Sequence, residues 1–129
     1  MADKVQALHN FWSSFDVMAI DEISAYDTDT LADLNISYPY ISYEVAEGEF
    51  DEPVAIGADL WDRSTSWARV SQLADRISAE ISRGGKLVPY EGGAVWITRG
   101  TPFSQRMDAE GSYDIRRIHI NINAEFISA

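Results

Sequence analysis

The sequence predicts an α+β domain, an antiparallel sheet of about four to five strands packed by two helices. Three observations carry that expectation. From Trp67 to Ile81, apolar side chains recur at three- and four-residue spacing. Residues 37–46, 54–61 and 114–126 alternate apolar with polar at period two, as half-buried strands do. Glycine-containing turns separate most of these runs. At 129 residues the chain reads as a single domain, 1–129, with room for one continuous core.

The first helix is short. Val5, Leu8, Phe11, Trp12 and Phe15 recur at helical spacing, and Asp3 stands where it can cap the start. Residues 16–35 then hold isolated apolar side chains (Val17, Ile20, Ile23, Leu31, Leu34) and sustain neither period. They read as a long acidic loop with a brief strand near 23–26. Loops of this length in compact domains are usually functional or ordered by a partner.

From Ser37 the period becomes two. Pro39, Ile41, Tyr43 and Val45 fall on one face, and Tyr38, Tyr40, Ser42 and Glu44 on the other. Pro39 has no N–H and belongs at the start or edge of its strand. The acidic run 47–52 contains Gly48 and reads as a turn. Beyond it Val54, Ile56, Ala58 and Leu60 alternate against Ala55, Gly57, Asp59 and Trp61, which makes a β-hairpin with a somewhat long loop.

The clearest helix follows. Ser64, Thr65 and Ser66 offer N-caps, Gly84-Gly85 closes the helix after Arg83, and Trp67, Val70, Leu73, Ala74, Ile77 and Ile81 line one face. KLVPY and AVWIT then form two strands around Gly92-Gly93, while RGTPFSQRM reads as a connector broken by Gly100 and Pro102. DAEGSYD is a polar turn. In the last strand Ile118, Ile120, Ile122, Ala124 and Phe126 oppose Arg117, His119, Asn121, Asn123 and Glu125, so one face is wet or partner-facing.

Composition narrows the function. The absence of cysteine excludes disulfides, thiolate metal sites and cysteine nucleophiles. No run approaches the ~20 apolar residues of a membrane span and no signal peptide opens the chain, so synthesis in the cytosol without a membrane partner is expected. The net charge of −11 is unevenly divided: residues 1–62 carry fourteen acids against one base, and residues 63–129 seven against nine. A field of that shape repels nucleic acid from one side and attracts a cationic partner.

No motif supports catalysis, a cofactor or a metal. His9 and His119 have no neighbour at ligand spacing. Asp108, Glu110, Ser112 and Asp114 alternate like the opening of a calcium loop, but Gly111 falls two steps early and His119 stands where glutamate is needed. Paired acids such as Asp21-Glu22 and Asp51-Glu52 lie in loops without an apolar setting to raise one pKa. Trp12 and Trp67 fit apolar helix stripes and read as core. Trp61 shares a face with Asp59, and Tyr38 and Tyr40 share one with Glu44; these rings are open to two uses, covering another helix or meeting a partner.

The segments NFWSSF, SAY, YPYISYEV, LWDRSTSW, GAVWITRGTPFSQRM and IRRIHININAEF occur in that order along nearly the whole chain. In order and spacing the chain resembles the tail-terminator, or tail-completion, proteins of long-tailed bacteriophages and prophages, often called minor capsid proteins. It departs from that pattern in the acidic stretch, where no proline stands near Ala25-Tyr26 or Thr30-Leu31.

The resemblance implies a non-enzymatic structural protein of the virion tail or neck, assembled in the host cytoplasm. Its copies form a homohexameric ring that caps the tail-tube protein, presents the surface for the head-tail connector protein, and lets DNA pass without specific binding. The half-polar last strand and the Pro39 strand are expected as exposed edges for subunit contact. Trp61, Arg99, Arg106, Arg116 and Arg117 are expected at the subunit interface, the arginines pairing with acids of the adjacent copy. Asp21, Glu22, Asp27, Asp29, Glu47, Glu49, Asp51 and Glu52 are expected to face the lumen or a partner, where like charge keeps DNA from adhering. A rival reading is an acidic DNA mimic that inhibits a host DNA-binding protein. It is disfavoured because the acids cluster in loops and the main helix carries three arginines against two acids.

Overall fold

The computed structural model describes residues 4–21, 37–44, 53–107 and 113–128. Among them the chain forms, in order, α1 (Lys4–Ser13), β1 (Met18–Asp21), β2 (Tyr40–Tyr43), β3 (Pro53–Arg63), α2 (Ala68–Ile81), β4 (Lys86–Tyr90), β5 (Gly93–Met107) and β6 (Ile115–Ser128). The class is α+β. The sheet departs from the expected antiparallel one of four to five strands: it is mixed and six-stranded, in the order β1-β2-β3-β6-β5-β4. β1 and β2 run parallel, and every other neighbouring pair is antiparallel. β1 lies inside the stretch that reads as a loop, because four residues are too few for a period of two to register. The expected strand at 23–26 lies outside the described residues.

Both helices pack on one face of this sheet. α2 buries Val70, Leu73, Ala74, Ile77 and Ile81, all on the predicted stripe. They meet Ile56, Ala58 and Leu60 of β3, Ile118, Ile120, Ile122, Ala124 and Phe126 of β6, and Val95 and Ile97 of β5. Leu8, Phe11 and Trp12 of α1 and Phe15 just beyond it enter the same core, with Phe11 edge-on to both Trp12 and Phe15. Each large apolar side chain so buried contributes roughly 1.5–3 kcal/mol. α1 touches β1 at one margin of the sheet and β4 at the other, so the sheet curls around the helices.

The ends of α2 are set locally. Ser66 Oγ accepts the Ala68 N–H at 3.1 Å, and Ser64 Oγ accepts the Ser66 N–H at 3.0 Å. The helix stops at Ile81, two residues before Arg83, because Ser82 takes a φ of 62° while its N–H still reaches Ser78 O at 3.0 Å. Asp62, on the helix-facing side of β3, is wholly buried, and the Arg69 Nε donates to its two carboxylate oxygens at 3.1 and 3.0 Å. Arg69 Nη2 also engages Asp62, and this carboxylate holds the guanidinium pKa above its ordinary value. The pair ties the start of α2 to the strand that precedes it.

Two strand placements correct the sequence reading. β6 is not an edge: it lies between β3 and β5 and is paired along both sides. β2, entered just after Pro39, is flanked by β1 and β3. The terminal strands are instead β1 and β4. Alternation fixes which face a side chain takes, but half-polar character alone does not place a strand at a margin.

RGTPFSQRM is a third correction. Its residues continue β5 rather than connecting two elements. The ladder with β6 slips between Arg99↔Ile122 and Ser104↔Ile120, so five steps on β5 oppose two on β6. Gly100 and Pro102 build a bulge within a strand instead of ending it. A Cβ on Gly100 would stand 2.9 Å from the Asn121 backbone, and Asn121 Nδ2 donates to Pro102 O at 3.0 Å, so β6 holds the bulge closely. The odd number of inserted residues reverses the facing of β5: Val95 and Ile97 point to the helices before the bulge, and Ser104 and Arg106 lie opposite core-facing Ile120 and Ile118 after it. No helix among the described residues is long and apolar enough to cross a membrane.

Candidate functional site

Period-two alternation sends the odd-numbered residues of β3 and β6 to the face opposite both helices. A second, smaller apolar cluster forms there from Ile20 and Tyr40, with Met18, Tyr38 and Trp61 packed against it. Tyr38 meets Tyr40 edge-on at 5.4 Å between ring centroids, and Tyr40 stacks on Trp61 at 6.2 Å with an interplanar angle of 12°. The Trp61 indole donates to Ser42 Oγ at 3.0 Å, which fixes the ring in its plane. Arginines extend the stack at both ends: Arg117 lies 5.1 Å from the Trp61 centroid, and Arg63 5.2 Å from that of Tyr38.

Asp59 joins this stack to a polar centre. Its Oδ1 accepts from Arg117 Nε at 2.9 Å and from His119 Nδ1 at 3.0 Å. Gly57 leaves room for the imidazole, since a Cβ there would lie 2.8 Å from His119 Cε1. The Gly57 N–H donates to Glu44 Oε2 at 3.0 Å, so that carboxylate continues the edge of β3 beyond β2. Ser42, Asp59 and His119 stand opposite one another on β2, β3 and β6. Serine and imidazole are therefore two strands apart, about 9–10 Å, with a carboxylate between them. That order does not build a serine nucleophile beside its base. It builds a rigid, ion-paired surface.

Further along the same face, Pro53, Ala55, Trp96, Thr98, Asn123 and Glu125 line an open groove of about 630 Å³. Trp96 stands opposite both Leu87 and Glu125 across its two ladders. Leu87 and Trp96 are among the most exposed large apolar side chains of the described residues. Sequence reading leaves this groove unseen, because its residues come from three strands whose pairing no local pattern specifies.

The five expected interface residues do not form one patch. Trp61 and Arg117 share the face opposite the helices. Arg106 and Arg116 lie together at the opening of α2, their guanidinium carbons 4.8 and 5.4 Å from the Trp67 ring centroid. Arg116 also donates to Thr65 O at 2.8 Å. Trp67, expected as core, is half-buried beneath these two arginines. Arg99 stands apart, donating to Ser78 Oγ on α2 at 2.9 Å. Arg117 is paired with Asp59 within the chain. Among the expected lumen acids, Asp21 ends β1, where its charge helps raise the Tyr43 phenol. Glu22, Asp27, Asp29, Glu47, Glu49, Asp51 and Glu52 lie outside the described residues. Compared with protein-family models and with curated proteins, the chain gives no match.

Proposed function

We propose that this protein is a non-enzymatic structural component of a long-tailed bacteriophage or prophage, a tail terminator. Its copies assemble into a homohexameric ring on the end of the tail-tube protein and offer the joining surface to the head-tail connector protein. The observation that carries the reading is the sheet face opposite the helices, where Tyr38, Tyr40, Trp61 and Arg117 form a stacked and hydrogen-bonded group. Aromatic rings and arginine on a rigid support are what protein interfaces favour, because they bury much area at little entropic cost. The ordered segments along the chain and its acidic first half add to this support. An acidic half suits a passage through which DNA moves without adhering. The site of action is then the tail or neck of the virion, after assembly in the host cytoplasm.

The DNA-mimic alternative needs carboxylates free to imitate phosphates. On the regular elements Asp59, Asp62 and Glu80 are engaged by Arg117, Arg69 and Lys86. Light-scattering mass on a sizing column, without and then with the tail-tube protein, tests the proposal. A six-fold multiple of the 14.4 kDa chain, or a ring that appears with tube protein and limits tube length, supports it. A monomer that ignores tube protein overturns it, and displacement of DNA from a host nuclease would then favour the mimic.

A further inference from the structure

β5 is longer than the strand that covers it. β4 pairs with Gly93–Ile97 alone, so from Thr98 onward the outer side of β5 has no strand partner among the described residues. Past the bulge the strand resumes a regular ladder with β6, from Ser104↔Ile120 to Met107↔Arg117. Successive residues of an antiparallel strand direct their N–H and C=O alternately to the two sides. About two of the four residues Ser104–Met107 therefore offer both backbone groups outward, and all four are exposed. The two terminal strands are blunted against such pairing. β4 carries Lys86 and Pro89, and β1 is four residues long. Ser104–Met107 contains neither proline nor lysine, and the bulge lies before it rather than within it.

The charge at this edge selects the partner. Arg106 is exposed, its guanidinium held over Trp67, and it makes no ion pair among the described residues. Arg116 lies beside it on the same ring. Residues 1–62 of the chain carry fourteen acids against one base, so a second copy supplies the complementary surface.

We propose that the outer edge of β5 at Ser104–Met107 is a strand-addition site, where an extended segment from the acidic half of a second copy pairs with the outward backbone groups beside Arg106. This assignment rests on the ring-forming reading above. Main-chain hydrogen bonds supply the register, and Arg106 supplies the preference for an acidic strand. The edge of one copy meets a different surface of the next, so the contact is head-to-tail and closes into a ring if the rotation permits.

Hydrogen exchange read by mass spectrometry on the full chain, dilute and then assembled with tail-tube protein, tests the assignment. The expected result is a slowing of about tenfold or more at the amides of 104–107 when the ring forms. Arg106→Glu should prevent assembly while near-ultraviolet circular dichroism stays native, and Arg106→Lys should retain it. A ring whose 104–107 amides exchange as in the monomer overturns this assignment and leaves the terminator reading standing. A chain that never assembles overturns both. Protection that appears on binding tube protein without self-association assigns the edge to the tube and overturns the second copy as occupant.

Discussion

Arg117 holds Asp59 diagonally across the β3–β6 ladder, its Nε 2.9 Å from the carboxylate, while its guanidinium lies over the ring of Trp61 directly opposite. One side chain thus joins the ion-paired centre of the face opposite the helices to its aromatic stack. Both partners are largely shielded from water, so the pair counts for more than an exposed surface bridge.

Arg117→Ala should lower unfolding stability by about 1 kcal/mol, from the lost pair and the lost cation–ring contact together. It should also shift the emission of Trp61, identified by comparison with Trp61→Phe. Arg117→Lys keeps the charge but not the planar stack, and should recover part of the stability without restoring the emission. Urea titration followed by fluorescence reads both quantities. An unchanged midpoint and an unchanged spectrum for Arg117→Ala would show that the contact has no weight in solution.

Tyr43 makes a prediction at alkaline pH. It is buried at the junction of α1 and β2, its Oη 2.8 Å from His9 Nδ1. Burial first, and the Asp21 charge second, push its phenol from 10.0 up to about 12. The folded state thus favours the neutral phenol more than the unfolded state does. The stability this confers is complete below pH 10 and is lost as the pH rises through about 12. In a phenolate absorbance titration of the native protein, Tyr43 should ionise late, and Tyr90, whose phenol burial also raises, should contribute above the ordinary value too. In Tyr43→Phe the part of the late absorbance change that belongs to Tyr43 should be missing. A titration in which every tyrosine ionises together near the ordinary value would contradict the burial argument.

The glycine pairs of the sequence separate into different roles. Gly92 takes a φ of 92° in the β4–β5 turn. Gly93, its neighbour, is instead a close-approach residue: a Cβ there would run into the Ile127 carbonyl, which is backbone and cannot yield. Gly84 faces open space with nothing within 4 Å. Gly93→Ala should therefore cost about 1–3 kcal/mol, and Gly84→Ala should stay within about 0.5 kcal/mol of the parent. Thermal or urea unfolding of the two single variants checks the contrast. Equal effects would mean that β6 does not approach Gly93 as closely as described.

Local periodicity was enough to read the helix at 68–81 and the inward faces of β3 and β6, because those patterns are written in consecutive residues. It also placed Tyr38, Tyr40 and Trp61 on the face opposite the main core. It did not reveal that Arg117 is engaged by Asp59, since the two are 58 positions apart and meet through strand pairing alone. The groove beside Trp96 was hidden for the same reason. Gly100 and Pro102 misled more directly: in isolation each signals a break, yet β6 pairs on both sides of the bulge they make and carries the strand through it.

By itself the sequence determined the α+β class, the absence of thiol chemistry, the acidic first half and the division of β3 and β6 into a core side and an outer side. These follow from composition and short-range alternation, which every chain carries before it folds. Only the tertiary structure decided that the sheet has six strands among the described residues, that β6 lies between β3 and β5, and that Arg69 and Arg117 are paired within the chain. Strand order and register depend on contacts between distant segments. Many pairings satisfy the same alternation, and the packing of the whole sheet around two helices selects one.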